Sequence, residues 1–176
     1  MDGNLSIEIL ENTPANIDAL QQLSVKTFVE SFGEQNTTAN MQMYLNENLT
    51  YNKLVDEINH PDAQFYIVKV ELIPVGYLKI NFSGAQTDIN DGKGLEIERI
   101  YVLKDYQNRK IGQILFDKAM QIAIDHNMQY LWLGVWEKNL KAINFYKRNG
   151  LFEFDTHVFK LGNDEQTDIL MKIELK

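Results

Sequence analysis

The 176-residue chain contains no cysteine, and its three histidines, His60, His126 and His157, are scattered. Without cysteine there can be no disulfide, no thiolate nucleophile and no thiolate-bound zinc. No two histidines stand one helical turn apart, so a histidine-based metal site is not expected either. Basic residues are also short: 17 Lys and Arg stand against 25 Asp and Glu, a formal net charge of −8. That field disfavours a nucleic-acid partner and favours a cation such as an amine, although solubility alone would also account for it. No apolar run approaches the roughly 18 residues of a membrane span. The opening Met1–Ser6 has neither the basic patch nor the apolar stretch of a secretory signal, so a cytoplasmic protein is expected.

Only three prolines are present, and each reads as punctuation: Pro14 at a helix start, Pro61 at a break, Pro74 in a turn. A hydrophobic fraction of 44% argues against disorder, and the length suits one domain over residues 1–176. Leu5–Glu11 reads as a strand. Thr13-Pro14 opens a helix whose apolar positions Ile17, Leu20, Leu23, Phe28 and Phe32 run up to Gly33. A loop over residues 34–38 precedes one or two helices from Ala39 to Asn59, ended by His60-Pro61-Asp62. Phe65–Val70 and Val75–Phe82 form an expected antiparallel hairpin turning at Glu71–Pro74. After a polar loop from Ser83 to Gly94 come a strand, Leu95–Val102, and a helix, Arg109–Asn127, with one apolar stripe. The nearly all-apolar Tyr130–Trp136 suits a central strand. A short helix, Asn139–Asn149, and a hairpin of Phe152–Leu161 and Asp168–Glu174 around Gly162–Glu165 complete the chain. The order β–αα–βββ–α–β–α–ββ predicts a mixed α/β (α+β) fold.

Four segments could carry chemistry. Tyr106–Gly112 runs from a strand into a helix start, where unpaired N–H groups and the helix dipole favour an anion, with Arg109 and Lys110 adding charge. It could equally be an ordinary helix start. In Leu95–Val102, a regular strand puts Glu96 and Glu98 on one face about 7 Å apart. Such a like-charged pair suits a general base, whereas a bulge would separate the two acids. Asn139 sits at a helix N-cap, and Tyr146 follows about two turns later, either as a proton donor or as a core tyrosine. Thr27–Asn36 combines Phe28 and Phe32 with Glu30 and Glu34, which could grip a cation or simply pack as a helix end.

Taken in order, these segments resemble the GNAT superfamily of N-acetyltransferases. That family's phosphate motif, Q/R-x-x-G-x-G/A, is matched by Gln107-Asn-Arg-Lys-Ile-Gly112, and its A-x-x-F-Y-x-x-x-G segment by Ala142–Gly150. Thr27-Phe28, Phe32–Asn36, Leu95–Tyr101, Trp132–Asn139 and Glu165–Asp168 are similar to the PaiA-type polyamine N-acetyltransferases. The resemblance implies a mostly antiparallel seven-stranded sheet with a splayed parallel pair and helices on both faces. It implies acetyl-CoA as cosubstrate, no metal, and a small amine acceptor such as spermidine or spermine. A homodimer is a family-level expectation. For the donor, it implies contacts from Ile100, Tyr101, Val102, Gln107, Asn108, Arg109, Lys110, Ile111, Gly112, Gln113, Asn139 and Tyr146. Tyr146 would protonate the departing thiolate, and Glu98, or alternatively Glu96, would act as base. Phe28, Phe32, Glu34, Trp136 and Glu137 would line the acceptor entry. One departure stands out: Lys110 replaces the motif's first glycine. A positive φ there would cost about 1–2 kcal/mol, and a helical φ nothing. A peptide or another small amine as acceptor, or a non-catalytic acetyl-CoA-binding regulator, would share the donor half.

Overall fold

The computed structural model describes residues 4–176, so the start of the expected domain, residues 1–3, lies outside the described residues. Seven strands, β1 (Leu5–Ile9), β2 (Ala63–Val70), β3 (Ile73–Asn81), β4 (Gly94–Val102), β5 (Tyr130–Trp136), β6 (Phe152–Leu161) and β7 (Asp164–Glu174), form one sheet in the order β1-β2-β3-β4-β5-β7-β6. Neighbours are antiparallel except β4 and β5, whose parallel ladder has four rungs, from Gly94↔Tyr130 to Ile97↔Leu133. Beyond Ile97 the two strands part, and β4 continues to Val102 without a partner on that side.

Five helices cover the two faces: α1 (Pro14–Phe32), α2 (Thr38–Asn48), α3 (Tyr51–Ile58), α4 (Ile111–Asp125) and α5 (Leu140–Arg148). The α4 stripe of Ile111, Leu115, Phe116, Ala119, Ile122 and Ala123 packs with Leu78, Ile80, Ile97 and Leu133 on one face. Leu115 is fully buried there, a contribution of about 1.5–3 kcal/mol. Ile17, Leu20 and Leu23 of α1, with Leu54 of α3, pack with Phe65, Ile67 and Tyr77 on the other face. No helix among the described residues is long and apolar enough to cross a membrane.

Side-chain caps explain most helix starts. Thr13, Thr37, Thr50 and Asn139 each accept a hydrogen bond from a backbone N–H three residues on, opening α1, α2, α3 and α5. The expected stretch from Ala39 to Asn59 is therefore two helices, because Thr50 begins a new one. The α4 helix starts at Ile111, two residues later than Arg109, because Asn108 (φ 63°) and Lys110 (φ 62°) are left-handed. The β2–β3 turn is Glu71-Leu72 alone, both with positive φ, and Pro74 belongs to β3. A register shift beside Lys69, the partner of Pro74, accommodates the missing N–H. Likewise β7 begins at Asp164, so the last hairpin turns on Gly162-Asn163.

Candidate active site

The parting of β4 and β5 opens a cleft of about 1250 Å³, bounded by α1, β4, the start of α4, β5, α5 and the β6–β7 hairpin. At one end lies the turn from Gln107 to Gly112. Lys110, the N-cap of α4, supplies no side-chain cap, unlike the N-cap residues of the other four helices. The N–H groups of Ile111, Gly112 and Gln113 are thus left to a ligand. A β-carbon at Gly112 would meet nothing within 4 Å, so there is open room in front of them. Lys104, Lys110, Lys141 and Arg148 line the same cleft and supply cations in a chain of net charge −8. An anionic, elongated donor such as acetyl-CoA fits these residues: phosphates at uncapped N–H groups, and a polar chain along the unpaired stretch of β4.

Most sequence-predicted residues come together there. Phe28, Phe32, Glu96, Glu98, Ile100, Tyr101, Val102, Gln107, Asn108, Lys110, Gly112, Gln113, Trp136, Asn139 and Tyr146 all line the cleft. Four do not. Arg109 lies over the Tyr106 ring, 5.0 Å from its centroid. The Ile111 side chain is in the core, so only its backbone can serve a ligand. Glu34 and Glu137 are exposed and outside the cleft lining. Several side chains are already committed. Gln107 donates to Val102 O at 3.2 Å and accepts from Lys141 Nζ at 2.8 Å. Gln113 is tied to Asn149 at 2.7 Å, and Asn139 Oδ1 caps α5.

The two glutamates are set apart by a bulge. Lys79 faces Arg99 and Ile80 faces Ile97, leaving Glu98 as the extra residue of β4. The bulge does not send the acids to opposite faces: Asn81 Nδ2 donates to Glu96 at 2.9 Å and to Glu98 at 2.7 Å. Their environments nevertheless differ. Glu98 pairs with Lys79 and, at 3.1 Å, with Arg99, and Glu57 of α3 closes a buried quartet through the same two cations. Burial alone would raise the Glu98 carboxyl, but Arg99 and Lys79 outweigh it and hold it below the usual range. Glu96 stands outside the quartet, 2% exposed, accepting from the Thr87 hydroxyl and the Thr87 N–H. Burial raises it, with the Thr87 and Asn81 hydrogen bonds partly opposing.

Across the cleft, Tyr146 of α5 is 7% exposed, and its hydroxyl has no hydrogen-bond partner among the described residues. Burial pushes its pKa well up, so it stays protonated near neutral pH. On the α1 side, Phe32 links Phe28 (4.7 Å), Trp136 (5.9 Å) and Tyr101 (6.4 Å) into an aromatic wall. Lys141, Thr87, Asp88, His157 and Asp168 also line the cleft and are absent from the sequence-based set. Lys141 stands two residues after the Asn139 cap and could have been read there. The others depend on loop placement and hairpin register.

Known proteins place this architecture. A relative from Lactobacillus delbrueckii subsp. lactis, an uncharacterized N-acetyltransferase in the pepI 3′ region, is 40% identical over 166 residues, covering 94% of this chain and 96% of its own. An uncharacterized N-acetyltransferase of Mycobacterium tuberculosis, Rv2669, is 24% identical across 90% of this chain and 97% of its own. Among solved structures, the PaiA N-acetyltransferase from Thermoplasma acidophilum, in complex with coenzyme A, is similar with a TM-score of 0.77 at 19% identity. The match covers 97% of this chain and 99% of that one. The sequence model of the Acetyltransferase (GNAT) family matches residues 17–151. With that match over most of its length, the chain belongs to the GNAT acetyltransferase family and is an acetyl-CoA-dependent N-acetyltransferase.

Proposed function

We propose that the protein acetylates a primary amine of a small, multiply charged acceptor, a polyamine such as spermidine or spermine. The observation that carries the acceptor class is the character of the α1 side of the cleft. Phe32, Tyr101 and Trp136 present ring faces while Glu96, Asp88 and Asp168 present carboxylates; Lys138 lies over the Trp136 ring but outside the cleft lining, and Arg99 is already paired with Glu57 and Glu98. Ring faces with carboxylates attract alkylammonium groups and repel anions. The similarity to the PaiA N-acetyltransferase fold is in keeping with this reading.

For the chemistry, Glu96 is the favoured base. The acceptor amine, with a pKa near about 10.4, arrives as an ammonium and must be deprotonated. Glu98 is a poor acceptor because its lone pairs face Lys79, Arg99 and Asn81. Glu96 has a raised pKa and keeps unused acceptor capacity, so it can take a proton directly or through water. The unpaired backbone of β4 past Ile97 would run along the pantetheine arm, and one of its N–H groups would steady the oxyanion formed on attack. Tyr146, buried and protonated, would give its proton to the departing sulfur. Lys110, Lys141 and the N–H groups at the start of α4 would hold the phosphates.

The test is release of free CoA thiol from acetyl-CoA with a panel of spermidine, spermine, a lysine peptide and an aminoglycoside. Release with the polyamines and little with the peptide supports the reading. Preferential release with the peptide moves the acceptor to protein substrates. No release with any of the four, despite acetyl-CoA binding, would remove the polyamine reading and favour a regulator.

A further inference from the structure

One cluster in the cleft holds a histidine that has no part in the chemistry above. His157 of β6 stands between two carboxylates: its Nδ1 is 2.9 Å from Asp88 Oδ2, in the loop between β3 and β4, and its Nε2 is 3.6 Å from Asp168 Oδ2 of β7. All three residues line the cleft. A β-carbon built on Gly134 would lie 3.5 Å from Asp168 Oδ2 and 3.6 Å from the His157 ring, so the pair sits over β5 one residue past the last rung to β4. The residue before Asp88, Thr87, is the one that binds Glu96. Two consecutive loop residues therefore hold Glu96 and His157 in a fixed relation.

The hydrogen bonding selects a tautomer. A carboxylate only accepts, so Nδ1 carries its proton toward Asp88, and the tautomer that this bond favours turns its Nε2 lone pair to Asp168. In that tautomer two acceptors face each other across 3.6 Å, and a donor beside both would satisfy them. An incoming ammonium has three N–H groups to supply it. Asp168 is mostly buried, and burial pushes its carboxyl up, with His157 partly opposing. The other acid on the His157 strand within two residues, Asp155, is exposed, and β5 contributes only Gly134.

The reaction calls for more than one proton acceptor. Transfer forms a C–N bond and breaks a C–S bond. Between ammonium and amide the nitrogen sheds two protons, the departing sulfur gains one, and one leaves the site. We propose that His157 is the first acceptor: Asp168 receives the incoming ammonium, and His157 Nε2 takes its first proton. The neutral amine then attacks the acetyl carbon, Glu96 takes the second proton, and that proton replaces the one Tyr146 gives to the sulfur. The imidazolium, bracketed by Asp88 and Asp168, passes its proton to water, to which the partly exposed ring has access. Asp88 is a positioning residue that holds the tautomer. This rests on the amine-acetylation reading above.

The experiment compares wild type and His157→Gln with spermidine and with difluorospermidine, an acceptor of similar shape whose amines are less basic. Fold and donor site are checked by Tm and acetyl-CoA Kd. His157→Gln is expected to lower kcat/KM for spermidine by about 100-fold, the scale of lost acid–base catalysis. The loss should be at least tenfold smaller with difluorospermidine, and the spermidine loss should recover as pH rises and the free amine accumulates. Equal losses with both acceptors, or no recovery at alkaline pH, would reduce His157 to a structural role and overturn the proposal, as would an unchanged kcat/KM. If His157→Gln does not fold, Asp88→Asn, which lets Nδ1 lose its proton, is expected to show the same acceptor dependence. No CoA release by the wild type with either acceptor would overturn the polyamine reading, and this inference with it.

Discussion

Lys110 brings conformation and charge into conflict at one exposed residue. It caps α4 at φ 62° and ψ 7°, in the left-handed region, where a β-carbon costs about 1–2 kcal/mol. Glycine at this position would relieve that strain but add freedom to the unfolded chain, worth about 0.4–1 kcal/mol the other way. Lys110→Gly should therefore stabilise the fold by about 0.5–1 kcal/mol, or about 1–4 °C in Tm. Lys110→Met keeps the β-carbon and should leave Tm near that of the wild type. Binding should respond differently. Both variants lose a cation beside the phosphate end of the cleft, worth about 0.3–1 kcal/mol for an exposed charge. The Kd for acetyl-CoA should rise about two- to fivefold in each, and the difference should fade as salt screens it. Differential scanning calorimetry and titration calorimetry at low and high salt read the two effects separately. If Lys110→Gly melts no higher than Lys110→Met, the strain argument is wrong. If Lys110→Met binds as tightly as the wild type at low salt, the lysine does not touch the phosphates.

Tyr146→Phe should lower kcat by at least about tenfold with little change in the KM for the acceptor, because only the departing thiolate needs its proton; an unchanged kcat removes Tyr146 from the acid role. Glu96 has a raised pKa, so kcat/KM should fall as pH drops through that value, above 4.5, and Glu96→Gln should lose both activity and this limb. If Glu98→Gln removes the limb instead, the base is Glu98. The stability slopes of the two acids have opposite signs. A lowered carboxyl such as Glu98 contributes fully above its unfolded value of 4.5, and the contribution is lost as pH falls toward the lowered native value. Glu98→Gln should thus cost about 3–5 kcal/mol at neutral pH, and urea titrations should show the gap to the wild type closing well below pH 4.5. In the β2–β3 turn, Leu72 is 84% exposed at φ 70°, and Leu72→Gly should raise Tm by about 1–4 °C; a fall would mean the left-handed pair carries no strain.

Periodicity and turn chemistry made the scaffold readable. The apolar run Tyr130–Trp136 is the central β5, and the stripe from Ile111 to Ala123 is the buried face of α4. Boundaries slipped where backbone handedness decided them. Left-handed Asn108 and Lys110 delay α4, and left-handed Glu71 and Leu72 close a turn that composition had stretched to Pro74. Most of the residues expected at the donor line the cleft, and they were easy to group in the sequence because they lie in two continuous segments, Ile100–Gln113 and Asn139–Tyr146. The residues proposed here for the acceptor are assembled by register. His157 meets Asp168 only because β6 and β7 pair them, and meets Asp88 only because the β3–β4 loop folds over β5. The opposite characters of Glu96 and Glu98 were equally hidden. They turn on one bulged residue and on Glu57, some forty positions away in the chain, reaching the same cations.

The four-rung ladder between β4 and β5 also has a mechanical consequence. It is the one seam joining the β1–β4 half of the sheet to the β5–β7 half, and it is the shortest ladder in the sheet. A donor lying along the open part of β4 would bridge the two halves where the protein supplies no rungs of its own. The cosubstrate is then a tie across the seam as well as a reagent. At a hundredfold excess over its Kd, it adds about 2.7 kcal/mol to the native state. The enzyme would be at its most cohesive when loaded and would loosen along this line each time the spent thiol departs, which couples the turnover cycle to the integrity of the sheet itself.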